Sequence, residues 1–326
     1  YESILQDISN VSAAIGLSSP TSGFKNLMIG IPRNFASFGI YNTVAGYAKA
    51  LTYAGWKKGR ESGALGYTPK TLELGADTGK ISDYIPMEKL FRGNLMEFTE
   101  NVNRIAAMEA GKMYFSQQLS ILKGNHDIFG VTGTKNNATR VLKDIYKLND
   151  KDIGLILKGK LENKADFKRY QEILRQVEHY SHISTQGGTS VGQLPLWMSG
   201  RAGRPLTLFQ RIAYSTTFDT VQNYVKPAMR GNIAPLVRAS IGHYLGGAGL
   251  YSAYKALFDE ESPESSSDKL GEAFFYINRS EMLGLMGFVY DPYDRGVTSN
   301  LMTPVIWRNS VLASEAGYEA ITGERN

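Results

Sequence analysis

The stretch "MEKLFRGNLMEFTENVNRIAAMEAGKMYFSQQLSILK", residues 87–123, decides the fold class, because it carries the clearest helical pattern in the chain. Apolar side chains recur there at steps of three and four residues, namely Phe91, Leu95, Phe98, Val102 and Ile105. This spacing places them on one face of an α-helix. We therefore expect one long amphipathic helix, ended by the turn residues of "KGNHDIFGVTGTKNN".

Helical patterns also lie on both sides of this stretch, and no strand–helix–strand rhythm interrupts them. Residues 1–59 predict three short helices, broken near "GLSSPTSG" and "GIPRN" by glycine, serine and proline. Further helices are predicted at 137–147, 150–158, 164–182, 204–229, 233–258, 268–287 and 304–321. Asn149 or Asp150 suits the N-cap of the helix at 150–158. Pro227 and Pro235 predict a break between 204–229 and 233–258.

These patterns predict an all-α fold, an extended multi-helix assembly with glycine- and proline-rich connectors and little or no sheet. Five regions follow from the composition: short helices at 1–59, a loop-rich connector at 60–86, a central helical region at 87–183, a basic amphipathic region at 184–258, and an acidic loop with C-terminal helices at 259–326.

Composition limits the possible functions. The 326 residues are 42% hydrophobic and 21% charged, which is typical of folded proteins, and the net charge of +5 permits an anionic partner. The absence of cysteine excludes disulfides, zinc thiolate sites and cysteine nucleophiles. The most apolar stretch, residues 233–258, is interrupted by Arg238, His243 and Lys255, so it predicts an interfacial helix rather than a membrane span.

Sequence motifs give no sign of catalysis. "GADTGKIS", residues 75–82, has phosphate-loop residue types but the wrong spacing, and no buried strand precedes it. His179 and His182 are three residues apart, a spacing that suits a metal, but no third ligand is identifiable. We therefore predict no catalytic residue, no metal site and no cofactor.

The basic region is the strongest candidate for function. Between Pro195 and Leu257 seven basic residues accompany a single acidic one, Asp219. The predicted contacts to an anionic partner, either DNA or lipid, are Arg201, Arg204, Arg211, Lys226, Arg230 and Arg238. The predicted interface aromatics are Trp197, Phe209, Tyr214, Phe218 and Tyr224. An ordinary packed helix with solvated arginines would explain the same pattern.

Two further features concern packing in this region. On a helix, one broad stripe would carry Leu208, Ile212, Ser215, Phe218 and Val221 or Gln222, with the cations largely off it. Gly242 and Gly246 form a G-x-x-x-G pair that allows close approach of another helix.

Three segments resemble the large polyvalent or internal virion proteins of tailed bacteriophages. The first contains Thr185 and Gln186, the segment from Pro195 to Trp197, the small-residue turn at 199–203, and the Leu-x-x-Phe-Gln-Arg helix from Leu206 to Arg211. The second is Glu100 to Arg104 followed by Ala106 to Gly111. The third is "LQDISNVSAAIGLSSPTSGFKNLMIG", residues 5–30, where Phe24 replaces the expected leucine. The resemblance covers residues 1 to about 258.

The resemblance implies a structural protein that lies inside the virion and enters the host cell envelope when it is ejected with the genome. It implies a homo-oligomer in contact with other virion proteins at the portal or core, and with genomic DNA or the host membrane. Two alternatives stay open. One is a purely structural capsid- or portal-associated scaffold. The other is a cell-wall-lytic or nucleic-acid-processing enzyme with a carboxylate site.

Overall fold

The computed structural model describes residues 20–65, 95–124, 134–159, 163–186, 214 and 216–258, with 272, 273, 275–277, 280 and 282. These residues are mostly helical and contain no β-strand, which confirms the all-α class. The helices are α1 (Pro20–Phe38), α2 (Ile40–Ala50), α3 (Tyr53–Glu61), α4 (Leu95–Leu122), α5 (Lys135–Asp144), α6 (Asp150–Lys158), α7 (Lys164–Gln186), a π-helix (Val221–Val225), α8 (Lys226–Met229) and α9 (Ala234–Phe258).

Helix α4 lies at the centre and packs against α1, α2, α5 and α7. Every residue from Val102 to Gly111 is buried, so neighbours surround the middle of this helix. Leu95 and Phe98, at its N-terminal end, are 43% and 48% exposed. The helix predicted over 87–123 is present over Leu95–Leu122, and residues 87–94 lie outside the described part of the chain. Its middle is buried on all sides rather than along the single predicted stripe.

Polar side chains on α4 are buried because distant parts of the chain supply their partners. Asn103 donates to the carbonyl of Asn26 at 2.9 Å and accepts from the Tyr47 hydroxyl at 2.6 Å. Glu100 accepts from Arg104 at 2.7 Å and from the Asn26 amide at 3.1 Å. These bonds satisfy groups whose burial would otherwise be unfavourable. Two of the segments that carry the family resemblance thus meet in the core.

The predicted helix break at "GIPRN" is wrong, because α1 continues through Pro32 to Phe38. Proline cannot donate to the carbonyl of Met28, four residues earlier. Helix α9 packs against α1 at this position, where Gly246 lies directly against Pro32 and the Met28 carbonyl. The chain turns instead at Gly39, whose φ of 81° is readily adopted only by glycine.

The main hydrophobic core joins α4 to α5, α6 and α7. Tyr146 is fully buried in it and donates to the carbonyl of Gly111 at 2.7 Å. Asn149 caps α6 as predicted: its side chain accepts from the Asp152 amide, and Asp152 completes a capping box. Arg169 on α7 binds Asp152 through two hydrogen bonds of 2.9 Å, which fixes α6 against α7.

The C-terminal part of the described chain follows the predicted break. Helix α8 ends at Met229 and α9 begins at Ala234, with Pro227 and Pro235 on either side of the interruption. A Cβ on Gly242 would lie 2.6 Å from the Phe35 ring, and one on Gly246 would lie 2.5 Å from Pro32. Both glycines of the G-x-x-x-G pair therefore face α1. The predicted connector at 60–86 and the helix at 304–321 lie wholly or mostly outside the described residues.

Candidate anionic-ligand site

A cavity of about 220 Å³ opens between α5, the turn after α5, the π-helix, α8 and the start of α9. Four cationic side chains line this basic cavity, together with one carboxylate; they are Arg140, Lys147, Lys226, Arg230 and Asp144. The excess of positive charge favours a negatively charged ligand.

Local backbone structure positions the cations on the α5 side. Lys147 follows α5 in the left-handed conformation, with a φ of 56°, and is the one described non-glycine residue with a positive φ. Such strain is often found at binding sites. The Lys147 ammonium donates to the carbonyl of Asp144 at 2.6 Å. Arg140 donates to the carbonyl of Arg230 at 2.8 Å, which ties α5 to the turn after α8.

The opposite side of the cavity is formed by the π-helix, an arrangement that is uncommon in proteins and frequent at functional sites. Its Gln222 and Asn223 line the cavity. Asn223 donates to the carbonyl of Ser184 at the end of α7, at 3.1 Å. Lys226 donates to Gln222 at 2.8 Å, so this ammonium stays beside the cavity.

The cavity cations are only weakly neutralised. Arg230 lies 3.7 Å from Asp144, and both side chains are at least half exposed. An exposed ion pair of this kind contributes little energy. Arg140, Lys147 and Lys226 make hydrogen bonds to uncharged groups, so their charges remain available to a ligand.

An exposed apolar surface begins beside the cavity and runs along α9. It consists of Met229, Ile233, Val237, Ile241 and Leu245, whose exposed fractions range from 46% to 82%. We call it the α9 apolar face. Large contiguous apolar surfaces on a folded protein mark sites of interaction with other proteins or membranes.

The structure places the other predicted contacts as follows. Lys226 and Arg230 line the basic cavity. Arg238 points inward: its Nε is buried without a hydrogen-bond partner, and its guanidinium lies beside Gly39. Arg201, Arg204, Arg211, Trp197 and Phe209 lie outside the described residues. Arg140 and Lys147 were not predicted, since neither belongs to the basic region and no local motif marks them.

Among the predicted interface aromatics, Phe218 is 37% exposed, Tyr214 is partly exposed, and Tyr224 is buried. The buried side of this segment contains Thr216 and Tyr224, with Thr220 between them on the same face, rather than Phe218 and Val221. The physical reason is that Thr216, Thr220 and Tyr224 lie four residues apart and share one side of the helix, where Arg33 donates to Thr216 and Thr220 donates to the carbonyl of Met282.

A second polar cluster joins α1 to the segment that precedes the π-helix. Arg33 donates to Thr216 at 2.8 Å, and Asp219 and His243 line the same small cavity of about 10 Å³. This volume holds about one water molecule, so it excludes a substrate. Burial raises the pKa of Asp219 to about 7, and the charge of Arg33 offsets only part of that increase.

A third cluster surrounds Glu109, which is 2% exposed. The carboxylate lies 2.9 Å from Lys49, 3.6 Å from Lys112 and 4.0 Å from Lys58. Burial alone would raise the pKa of Glu109, but the Lys49 hydrogen bond and the three positive charges hold it below its usual value. Lys112 also pairs with Glu178 on α7 at 2.8 Å, so this network connects four helices.

The two histidines of α7, His179 and His182, lie in different surroundings, since His179 is partly exposed and His182 is buried. His182 is fully buried, and its Nδ1 lies 3.1 Å from the Glu178 carbonyl. Burial lowers the pKa of His182 to about 4. Across the described parts of the chain, no three side chains of metal-ligating type come together.

Among the helices that the structure describes, none has the length and apolar character needed to cross a membrane. Comparison of the chain with protein-family models, with curated proteins and with solved structures finds no match.

Proposed function

We propose that this chain is a structural component of a tailed-phage particle, packaged in the virion and ejected with the genome, which assists genome delivery across the host envelope. It acts by self-assembly, by contact with portal or core proteins, and by electrostatic contact with DNA or membrane. The observation that carries this proposal is the basic cavity beside the exposed α9 apolar face, supplemented by the resemblance of the sequence segments.

A second apolar surface supports the assembly part of the proposal. The side chains of Ile40 and Val44 on α2, and of Leu51 directly after it, are 63% to 69% exposed. They lie at steps of four and seven residues, so they are on the same side of the helix. An isolated chain gains nothing by exposing these groups to water, whereas a neighbouring subunit would bury them.

Two measurements test the proposal. Mass spectrometry and cryo-electron microscopy of the native particle should locate the chain inside the capsid or at the portal. Sedimentation velocity of the purified chain should show concentration-dependent oligomers, reduced by Val44→Glu. A chain that is absent from the particle, stays monomeric and binds neither DNA nor anionic vesicles would contradict the proposal.

A purely structural scaffold is the second candidate, and the Arg230–Asp144 contact favours it. This contact shows that a cavity cation accepts a protein carboxylate as partner, as a neighbouring subunit could provide. Ring formation that is unaffected by DNA and by vesicles would support the scaffold. In either case we propose no enzymatic activity, and a peptidoglycan zymogram with a nuclease assay checks this.

A further inference from the structure

We propose that the basic cavity and the α9 apolar face together form a docking site for an anionic phospholipid surface. The cavity holds the phosphate of one lipid headgroup, and the apolar side chains enter the interfacial layer of the bilayer. This inference rests on the proposed function, because it names which anionic partner the chain contacts.

The cavity has the chemistry that a phosphodiester requires. Its cations come from three segments of the chain: Arg140 from α5, Lys147 from the turn after α5, and Lys226 with Arg230 from α8 and its C-terminal end. The amides of Gln222, Asn223 and Asn232 supply further donors. A guanidinium group can donate to two oxygens of the same anion, and an ammonium group adds a compact positive charge. The combination suits a phosphate group.

The position of the apolar side chains favours lipid over nucleic acid. Met229 directly precedes Arg230, and Ile233 lies three residues after it, with exposed fractions of 82% and 62%. Cations at headgroup depth beside apolar groups that reach deeper are typical of interfacial helices. A nucleic-acid backbone is contacted mainly by charged and polar groups, so it would leave these apolar side chains in water.

The rest of α9 continues the same surface. Val237, Ile241 and Leu245 extend it by two further turns without an intervening acidic residue. The α9 apolar face therefore continues from the cavity over the first half of α9.

Vesicle flotation tests the inference with matched variants of the full chain. The probes are vesicles of phosphatidylcholine alone, and of phosphatidylcholine with about one third phosphatidylglycerol. Each lysine beside an anionic surface changes affinity roughly fivefold, so Lys147→Gln with Lys226→Gln should weaken binding to the anionic vesicles about 25-fold. Ile241→Ser with Leu245→Ser should weaken binding to a similar degree.

Control variants remove lysines and an apolar side chain from surfaces outside the proposed site. Lys151→Gln with Lys168→Gln changes the net charge equally on exposed positions of α6 and α7, and Phe167→Ser removes an exposed aromatic ring from α7. Both should bind the anionic vesicles as the unsubstituted chain does. All five substituted side chains of the control variants and of the lysine pair are exposed, and circular dichroism checks that each variant is folded.

The outcomes separate this inference from the proposed function. If the unsubstituted chain binds DNA but no vesicles, the lipid assignment is overturned while the proposed function stands. If the cavity variant and the charge control lose equal affinity, attraction is diffuse and the cavity assignment is overturned. If the chain binds neither partner and stays monomeric, both fail. Selective loss in the cavity and α9 variants supports the site.

Discussion

At the scale of single residues, Lys147 combines a strained backbone with a place in the basic cavity, and Asp219 lines the small cavity that shares Ser184 and Asn223 with it. Lys147 adopts a left-handed backbone conformation that ordinary side chains disfavour. Asp219, close to the π-helix in the sequence, is a carboxyl group whose pKa burial raises to about 7. Each residue makes a separable prediction about stability and binding.

Replacing Lys147 by glycine should separate stability from binding. Glycine adopts a positive φ without steric strain, so Lys147→Gly should raise the free energy of unfolding by about 0.5–1 kcal/mol after the entropic penalty of glycine. The same change removes a cavity cation and should weaken binding to an anionic ligand. Urea denaturation and vesicle flotation measure the two effects. A variant that gains stability and keeps full binding would remove Lys147 from the ligand site.

Asp219 predicts a specific dependence of stability on pH. Its folded pKa of about 7 exceeds the unfolded value, so the native state holds the proton more tightly. Asp219 therefore contributes fully to the free energy of unfolding below pH of about 4. This contribution, roughly 2 kcal/mol after allowance for partial exposure, is lost as pH rises through about 7. Arg33, His243 and Tyr224 face the same cluster.

Thermal unfolding of Asp219→Asn against pH checks this effect. The variant should lack the decline between pH of about 4 and 7, so its stability relative to the unsubstituted chain should increase with pH. His182 has the opposite effect. Because its pKa in the folded state is only about 4, the fold loses stability as pH falls below the pKa of His182 in the unfolded state. The difference between the two chains is therefore the informative quantity. Parallel pH profiles would contradict the assignment.

At the scale of elements, single glycines allow neighbouring helices to pack closely against one another. Gly246 allows α9 to approach the ring of Pro32 in α1, and Gly46 allows α2 to approach the carbonyl of Ala106 in α4. Gly154 in α6 has no neighbour within 4 Å of a Cβ position. These positions differ in the space around them, although each lies within a helix.

Alanine at two of these glycines should have opposite effects. Gly246→Ala places a methyl group 2.5 Å from the rigid Pro32 ring, so it should lower the free energy of unfolding by about 2 kcal/mol. Gly154→Ala meets open space and improves helix propensity, so it should raise that free energy by up to about 1 kcal/mol. Chemical denaturation of both variants measures the pair. Equal effects would show that packing of α9 on α1 does not limit stability.

The features that depend only on neighbouring residues could be predicted from the sequence. The Asn149 cap and the break between Pro227 and Pro235 depend on neighbouring residues, and both are confirmed. The passage of α1 through Pro32 was not predictable from local sequence, because the helix that packs on Pro32 contains Gly246, more than 200 residues away. The burial of Asn103 likewise depends on Asn26 and Tyr47.

The candidate site was predicted in part for the same reason. Lys226 and Arg230 were identified by charge pattern, and they line the basic cavity. Arg140 and Lys147 join them only through the packing of α5 against the segment after the π-helix. Tyr224 was predicted as an interface aromatic because it lies among the basic residues, whereas it is buried through packing with Ala36, Ala239 and Met282, which are distant in the sequence.

At the scale of the whole molecule, charge and apolar surface act together, since a modest net charge of +5 cannot account for selective binding alone. The described chain places its cavity cations at one end of the α9 apolar face. Long-range attraction would bring an anionic surface to the cavity, and apolar contact would then retain it. These two contributions respond differently to salt.

Salt dependence of binding should therefore distinguish a bilayer from nucleic acid. The Debye length falls from about 8 Å at physiological ionic strength to about 3 Å at 1 M, which screens the cavity cations. Burial of Met229, Ile233 and Leu245 is not screened, so binding to anionic vesicles should decrease with salt but persist at a measurable residual level. Binding to DNA should instead fall steeply and continuously with salt concentration. In the Ile241→Ser, Leu245→Ser chain the residual vesicle binding should decrease, whereas the Phe167→Ser control should retain it in full. Vesicle binding that vanishes at high salt in the unsubstituted chain would show that the α9 apolar face stays in water, because only a purely electrostatic contact is abolished by screening.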